Sequence, residues 1–266
     1  MKKYLQYANY FVAATGVMGA FLLKSLLRAG TDEKGLYPAA HPSWIGYLLL
    51  SAAAIAILWL AIRGEENDPT WQRNHPKAPL QKVLFSAGYV LCAAAIGLYG
   101  KNIQPVTLLD KAAHWGSFTA LAALTVLAVQ YFAGKTPTAF LHLIPCLYMA
   151  VLLFLLSKAN SAETELLRFL PQMFALAASA LASYQLWGFA VGCGDREKSL
   201  FWSLSACHLC LAAAGGGNVL FTGLALWHLL SHPVLILPPV EEEIIGTEEI
   251  TEVEEIIETE EPEENL

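Results

Sequence analysis

Charge is what this sequence has least of. Asp, Glu, Lys and Arg make up 15% of its 266 residues and 56% of the chain is hydrophobic, whereas an ordinary soluble domain carries roughly 25% charged residues. Thirteen of the 23 acidic residues lie between Glu241 and Glu264, which leaves ten acids against sixteen Lys and Arg in the body, a net of +6. No basic patch interleaved with aromatics occurs in that body, so no nucleic-acid partner is expected. Cysteine is also short: Cys92, Cys146, Cys193, Cys207 and Cys210 make an odd count, four of them inside apolar runs, which argues against a disulfide framework. There is no His-Glu-x-x-His and no Ser/His/Asp order, and Gly215-Gly216-Gly217 lacks the lysine of a phosphate-cradling loop. These absences point to no cofactor, and the reading leans away from an enzyme.

Long apolar runs fill the space that charge leaves. A helix needs about 20 apolar residues to cross a hydrocarbon core about 30 Å thick. By that ruler the sequence predicts spans at 4–23, 44–62, 83–100, 112–134, 138–157 and 169–191. From Ser199 to Val240 there are 42 residues without a formal charge. As one helix these would reach about 63 Å, so the stretch must fold back. Gly215-Gly216-Gly217-Asn218 is the breaker near its middle, which places a seventh span at 199–214 and an eighth at 219–237, stopped by Pro238-Pro239. A re-entrant hairpin is the alternative for this last pair.

The expected fold is therefore all-α: a polytopic transmembrane helical bundle over 1–239 with about eight spans, followed by a disordered acidic tail over 240–266. Met1-Lys2-Lys3 and the run behind it resemble a secretory signal, but Lys24 and Arg28 close the run without a small-residue cleavage site, so it is expected to remain as the first span. The Lys and Arg bias, chiefly the cluster from Arg63 to Lys82 and the leading lysines, favours both termini on the cytoplasmic side of a bacterial cytoplasmic membrane.

Three groups of residues are candidates for chemistry. The first external loop, from Arg28 to Pro42, packs Asp32, Glu33, Lys34 and His41 among two glycines and two prolines, which suits a lid or ligand-contacting turn; Asp110, Lys111 and His114, and Glu163, Glu165 and Arg168, open the fourth and sixth spans on the same side. Within spans, His142 and Cys146 are four apart, Cys207 and Cys210 three apart around His208, and His228 and His232 four apart. Each pair shares a helix face, and thiolate and imidazole are ligands for zinc, copper or haem. Against that reading, cysteine packs as a small hydrophobe and neutral histidine bonds neighbouring helices. The tail repeats Ile250, Val253 and Ile257 at spacings of three and four, a face that a basic cytoplasmic protein could order.

The Gly30-Thr31-Asp32-Glu33-Lys34-Gly35-Leu36 and His41-Pro42 pattern after a first hydrophobic run resembles multi-pass membrane proteins of Gram-positive bacteria. The resemblance covers one loop and the general layout, implies a membrane location and brings no activity with it. Three functional classes follow from the residues: a small-solute transporter or permease-like component, a membrane-anchored sensor or scaffold recruiting a partner through its acidic tail, and an intramembrane metal or haem protein. For the first, no span holds the acidic or basic residue that ion-coupled carriers need, so such a carrier is expected to be uncoupled or to rely on another subunit. The sequence says nothing of oligomeric state.

Overall fold

The computed structural model describes residues 2–29, 41–63, 79–160 and 166–236. Among them are eight helices and no strands: α1 (Lys2–Ala29), α2 (Pro42–Ile62), α3 (Pro79–Lys101), α4 (Leu108–Phe132), α5 (Ala139–Asn160), α6 (Leu166–Ala190), α7 (Arg196–Ala214) and α8 (Val219–Ile236). Six segments, Tyr7–Ala29, Pro42–Ile62, Pro79–Lys101, Leu108–Phe132, Ala139–Lys158 and Phe169–Ala190, are long and apolar enough to cross a membrane. Their outward faces carry large apolar side chains, among them Tyr10, Phe21, Leu49, Leu60, Phe132, Phe140 and Phe154. Water does not tolerate so continuous an apolar surface and acyl chains do, so the chain is an integral membrane protein.

Local chemistry sets the ends of these helices. Thr107 caps α4 through a reciprocal pair: its hydroxyl accepts the Asp110 amide at 3.2 Å while the Asp110 carboxylate accepts the Thr107 amide at 2.7 Å. α7 starts at Arg196, three residues before the uncharged run begins, because Asp195 caps it. The seventh helix is thus 19 residues long, about 28 Å, close to the depth of a bilayer core. It ends where the sequence placed the break: Gly217, at φ +81°, supplies the left-handed turn before α8.

The connections of four to six residues between α3 and α4, α4 and α5, α6 and α7, and α7 and α8 force antiparallel neighbours. From α3 to α8 each helix packs on the next, and α8 packs back on α3, so six helices close into a ring. The closing seam is tight. A β-carbon at Gly88 would sit 3.2 Å from that of Leu230 and 3.3 Å from the Trp227 carbonyl, and one at Gly223 would run into the Ala95 side chain. The α1–α2 hairpin lies outside the ring against α7, with α1 close enough that a β-carbon at Gly16 would come within 2.7 Å of that of Leu211.

α7 is therefore wrapped by α1, α2, α6 and α8. Protein rather than lipid solvates most of it, which explains why the most polar of the eight helices is also the most buried. Ser199, Ser203, Ser205, Cys207, His208 and Cys210 are all inside. A helix with lipid on one side has no such freedom: α2 buries only Trp44, Tyr47, Ser51, Ala54, Leu58 and Ile62.

Candidate functional site

Each helix of the ring contributes a stripe of side chains to a common core, and the stripes change character along their length. On α7, Ala213, Cys210 and Ala206 lie in the apolar core, and the same face continues as Ser203, Ser199 and Arg196. On α8, Phe221 and Leu224 lead to His228; on α3, Ile96 and Cys92 lead to Tyr89 and Ser86; on α6, Ala175 and Ser179 lead to Ser183. Tyr131 closes the stripe of α4, and His142 opens that of α5, two turns before Met149. Antiparallel packing brings all these polar ends to one end of the ring, the end that holds the α1 N-terminus and the α8 C-terminus. The other half is filled by Ile96, Ala120, Leu124, Met149, Leu152, Ala213 and Leu220. Its buried Ser117 spends its hydroxyl on the His114 carbonyl of its own helix, 2.6 Å away. The ring interior is thus richer in polar groups in one half and filled mainly by apolar side chains in the other, where the buried Tyr148 beside Gly116 also has a hydroxyl without a partner among the described residues.

His142 ties three helices within the polar half. Its Nδ1 lies 3.3 Å from the Tyr89 hydroxyl and its Nε2 3.0 Å from the Tyr131 hydroxyl. A neutral imidazole donates from one nitrogen and accepts at the other, so one tyrosine donates to the ring and the other accepts from it. Pro145 lacks the amide that would bond the Leu141 carbonyl in the α5 ladder, and at the neighbouring residue the Ser183 hydroxyl of α6 donates to the His142 carbonyl at 3.3 Å. Tyr89 also packs edge to face on Trp227 of α8, ring centres 5.2 Å apart, and Trp227 stacks on His228 at 4.9 Å.

Beside this satisfied cluster stand groups whose hydrogen-bonding capacity is unused. His228 is 1% exposed, and neither ring nitrogen has a hydrogen-bond partner among the described residues. The same holds for the hydroxyls of Ser86, Ser199 and Ser203. A buried polar group left without a partner costs about 1–3 kcal/mol, so three hydroxyls and an imidazole at the same end of the ring carry a cost that a polar partner would relieve. Arg196, 9% exposed, stands at its rim in the first turn of α7. There Asp195 accepts the Lys198 amide at 3.1 Å and pairs with the Lys198 ammonium at 2.8 Å. Burial pushes the Asp195 carboxyl up, but the Lys198 side-chain and backbone hydrogen bonds and its charge outweigh burial and hold it below the usual carboxylate range.

A group with a depressed folded-state pKa stabilises above its unfolded value, about 3.9 for Asp, and loses that contribution as pH falls through the folded value. Asp195→Asn keeps the cap and is expected to flatten the acid limb of thermal stability in detergent between pH 5 and pH 2. Asp195→Ala is expected to lower stability at pH 7 by about 1 kcal/mol.

A second buried histidine fastens the hairpin to the ring. His208 Nδ1 lies 3.1 Å from the Thr15 hydroxyl of α1, and its Nε2 3.1 Å from the Ser51 hydroxyl of α2. Thr15 gives its proton to the Phe11 carbonyl at 2.9 Å, so Nδ1 carries the imidazole proton and Nε2 accepts from Ser51.

The residues singled out from the sequence fall in several places. Asp32, Glu33, Lys34, Glu163, Glu165 and the acidic tail lie outside the described residues, as do the side chains of Arg168 and His232. His41 caps α2, its Nδ1 accepting the Ser43 amide at 3.2 Å, and Asp110 caps α4 as described. His114 donates from Nδ1 to the Gly100 carbonyl at 3.1 Å, joining α4 to α3. The polar atoms of these three therefore serve helix ends.

All five cysteines are free thiols, and Cys210 bonds the Ser179 hydroxyl at 3.2 Å. His142, Cys146, Cys207, Cys210 and His228 are spread over three helices, α5, α7 and α8, and among the described residues no three His, Cys, Asp or Glu side chains converge to hold a metal ion. Sequence reasoning missed Tyr89, Tyr131, Thr15, Ser51 and the serines of α7. Only the last left a signal, in the three- and four-residue spacing of Arg196, Ser199 and Ser203. No protein-family model, curated protein or solved structure matches the chain.

Proposed function

We propose that the chain is a permease-like component of a bacterial cytoplasmic membrane that takes a small neutral solute, rich in hydroxyl or amide groups, into the polar half of its ring. The observation that carries this reading is the set of buried groups without partners, His228, Ser86, Ser199 and Ser203, on faces that converge at one end. Hydroxyls and a neutral imidazole both donate and accept, which matches polyols and amides better than it matches ions. With both termini in the cytoplasm, as the Lys and Arg bias favours, this half faces the cytoplasm. Onward passage needs the α3–α8 seam to part, and the small contacts of Gly88, Ala95 and Gly223 suit a seam that slides.

The test is osmotic swelling of proteoliposomes in glycerol, erythritol and urea, followed by stopped-flow light scattering. At least one of the three is expected to enter faster than into protein-free liposomes, and His228→Leu with Ser203→Ala is expected to return the rate to that baseline. Baseline rates for all three with the unaltered protein would contradict the proposal.

A further inference from the structure

Outside the ring, a cleft of about 470 Å³ opens towards the lipid between α2 and α6, with α7 as its floor. Its walls are apolar and aromatic, formed by Ile55, Phe174, Leu181, Phe201 and Trp202, and none of its lining residues carries a charge. Three hydroxyl-bearing residues interrupt this lining, Tyr47, Ser51 and Ser205. Ser205 is 1% exposed and its hydroxyl has no partner among the described residues. Ser51 gives its proton to His208, which leaves its oxygen able to accept. With the Tyr47 hydroxyl one turn before Ser51, the pair offers hydrogen-bond donors and acceptors at one place in a wall that is otherwise aliphatic and aromatic.

We infer that this cleft binds one neutral lipid bearing a single hydroxyl, whose O–H donates to Ser51 and whose oxygen accepts from Ser205. Three observations select this occupant. The volume fits the range of small-molecule sites, about 300–1,000 Å³, whereas a helix about 10 Å across would find room for only about one turn. Ser51 is the tenth of 21 residues in α2 and Ser205 the tenth of 19 in α7, so both lie near the middle of their helices, roughly 14 Å from either end. A phospholipid headgroup cannot be buried at that depth without a charged partner, and the lining supplies none. A plain hydrocarbon tail, for its part, would leave the Ser205 hydroxyl unanswered.

The experiment uses the full chain in phosphatidylcholine nanodiscs and hexadecanol carrying a diazirine in its chain. After photolysis, adducts are expected on peptides containing Tyr47–Ile55, Phe174–Leu181 or Phe201–Leu209, and excess unlabelled hexadecanol is expected to remove them. A diazirine alkane of the same length, lacking the oxygen, is expected to label these peptides several-fold less. Ser205→Ala is expected to lower alcohol labelling about three- to tenfold, the effect of one hydrogen bond. Ala52→Phe, placed on an exposed lining residue, fills the cleft from the lipid side without touching the core and is expected to abolish labelling there. Labelling that does not saturate and spreads over Phe21, Phe132 and Phe154, exposed apolar residues outside the cleft, would overturn the inference. So would equal labelling by alcohol and alkane, or a cross-linked dimer joined through these peptides.

Discussion

Gly223→Leu chains should fail to give a monodisperse folded species in mild detergent, and Gly223→Ala should lower stability by about 1–3 kcal/mol, the usual cost of forcing atoms into a packed interface. The reason lies in the seam that closes the ring. A β-carbon at Gly223 would run into the Ala95 side chain and lie 3.2 Å from the Leu91 carbonyl. Ala95 is bound directly to the α3 backbone and cannot turn aside, so the whole helix must move. Gly46 is the control, because its added β-carbon would meet only the Leu22 side chain at 3.6 Å, an ordinary contact. There alanine should be neutral or favourable by up to about 1 kcal/mol, from helix propensity alone. Size-exclusion profiles and thermal melts of the two alanine variants side by side check the difference. Equal melting temperatures would show that the α3–α8 contact does not close the ring.

Trp227→Ala should be the most damaging single truncation in the core, costing about 3–5 kcal/mol. Trp227 is fully buried, packs edge to face on Tyr89, stacks on His228 and presents its backbone to Gly88, so it joins the seam to the polar half. Trp227→Phe keeps an aromatic ring for Tyr89 and should recover more than half of the loss. Unfolding of both variants in a denaturing-detergent titration measures the two costs. If alanine and phenylalanine proved equally mild, Trp227 would be a wall residue rather than a keystone.

Much of the helical layout could be read from the sequence, because a span announces itself through an absence of charge and this chain is poor in charge. The break at Gly215–Asn218 was legible for the same reason: a stretch of 42 uncharged residues exceeds any bilayer, and the glycines mark where it turns. Closure of the ring was not legible. It depends on α8 meeting α3 across more than a hundred residues, through glycines that inside an apolar run look like any others.

The candidate site was hidden by the same locality. Spacing along α5 joined His142 to Cys146, while the hydrogen-bond partners of His142 come from Tyr89 and Tyr131 on other helices, 53 and 11 residues away. The serines of α7 passed as neutral filler within an apolar run. Only burial on every side turns a serine hydroxyl into a group that requires a partner.

Admission of water-borne solute to the polar half of the ring interior and not to the apolar half is tested most sharply by cysteine accessibility. With the exposed Cys193 replaced by serine, Ser199→Cys, Ser203→Cys, Ala213→Cys and Leu220→Cys can each be treated in membranes with a charged, water-soluble thiol reagent. Rapid modification is expected at positions 199 and 203, slowed when a permeant polyol is present, with rates at 213 and 220 no higher than those of the native buried cysteines. Equal reactivity at all four positions, or none at 199 and 203, would contradict it.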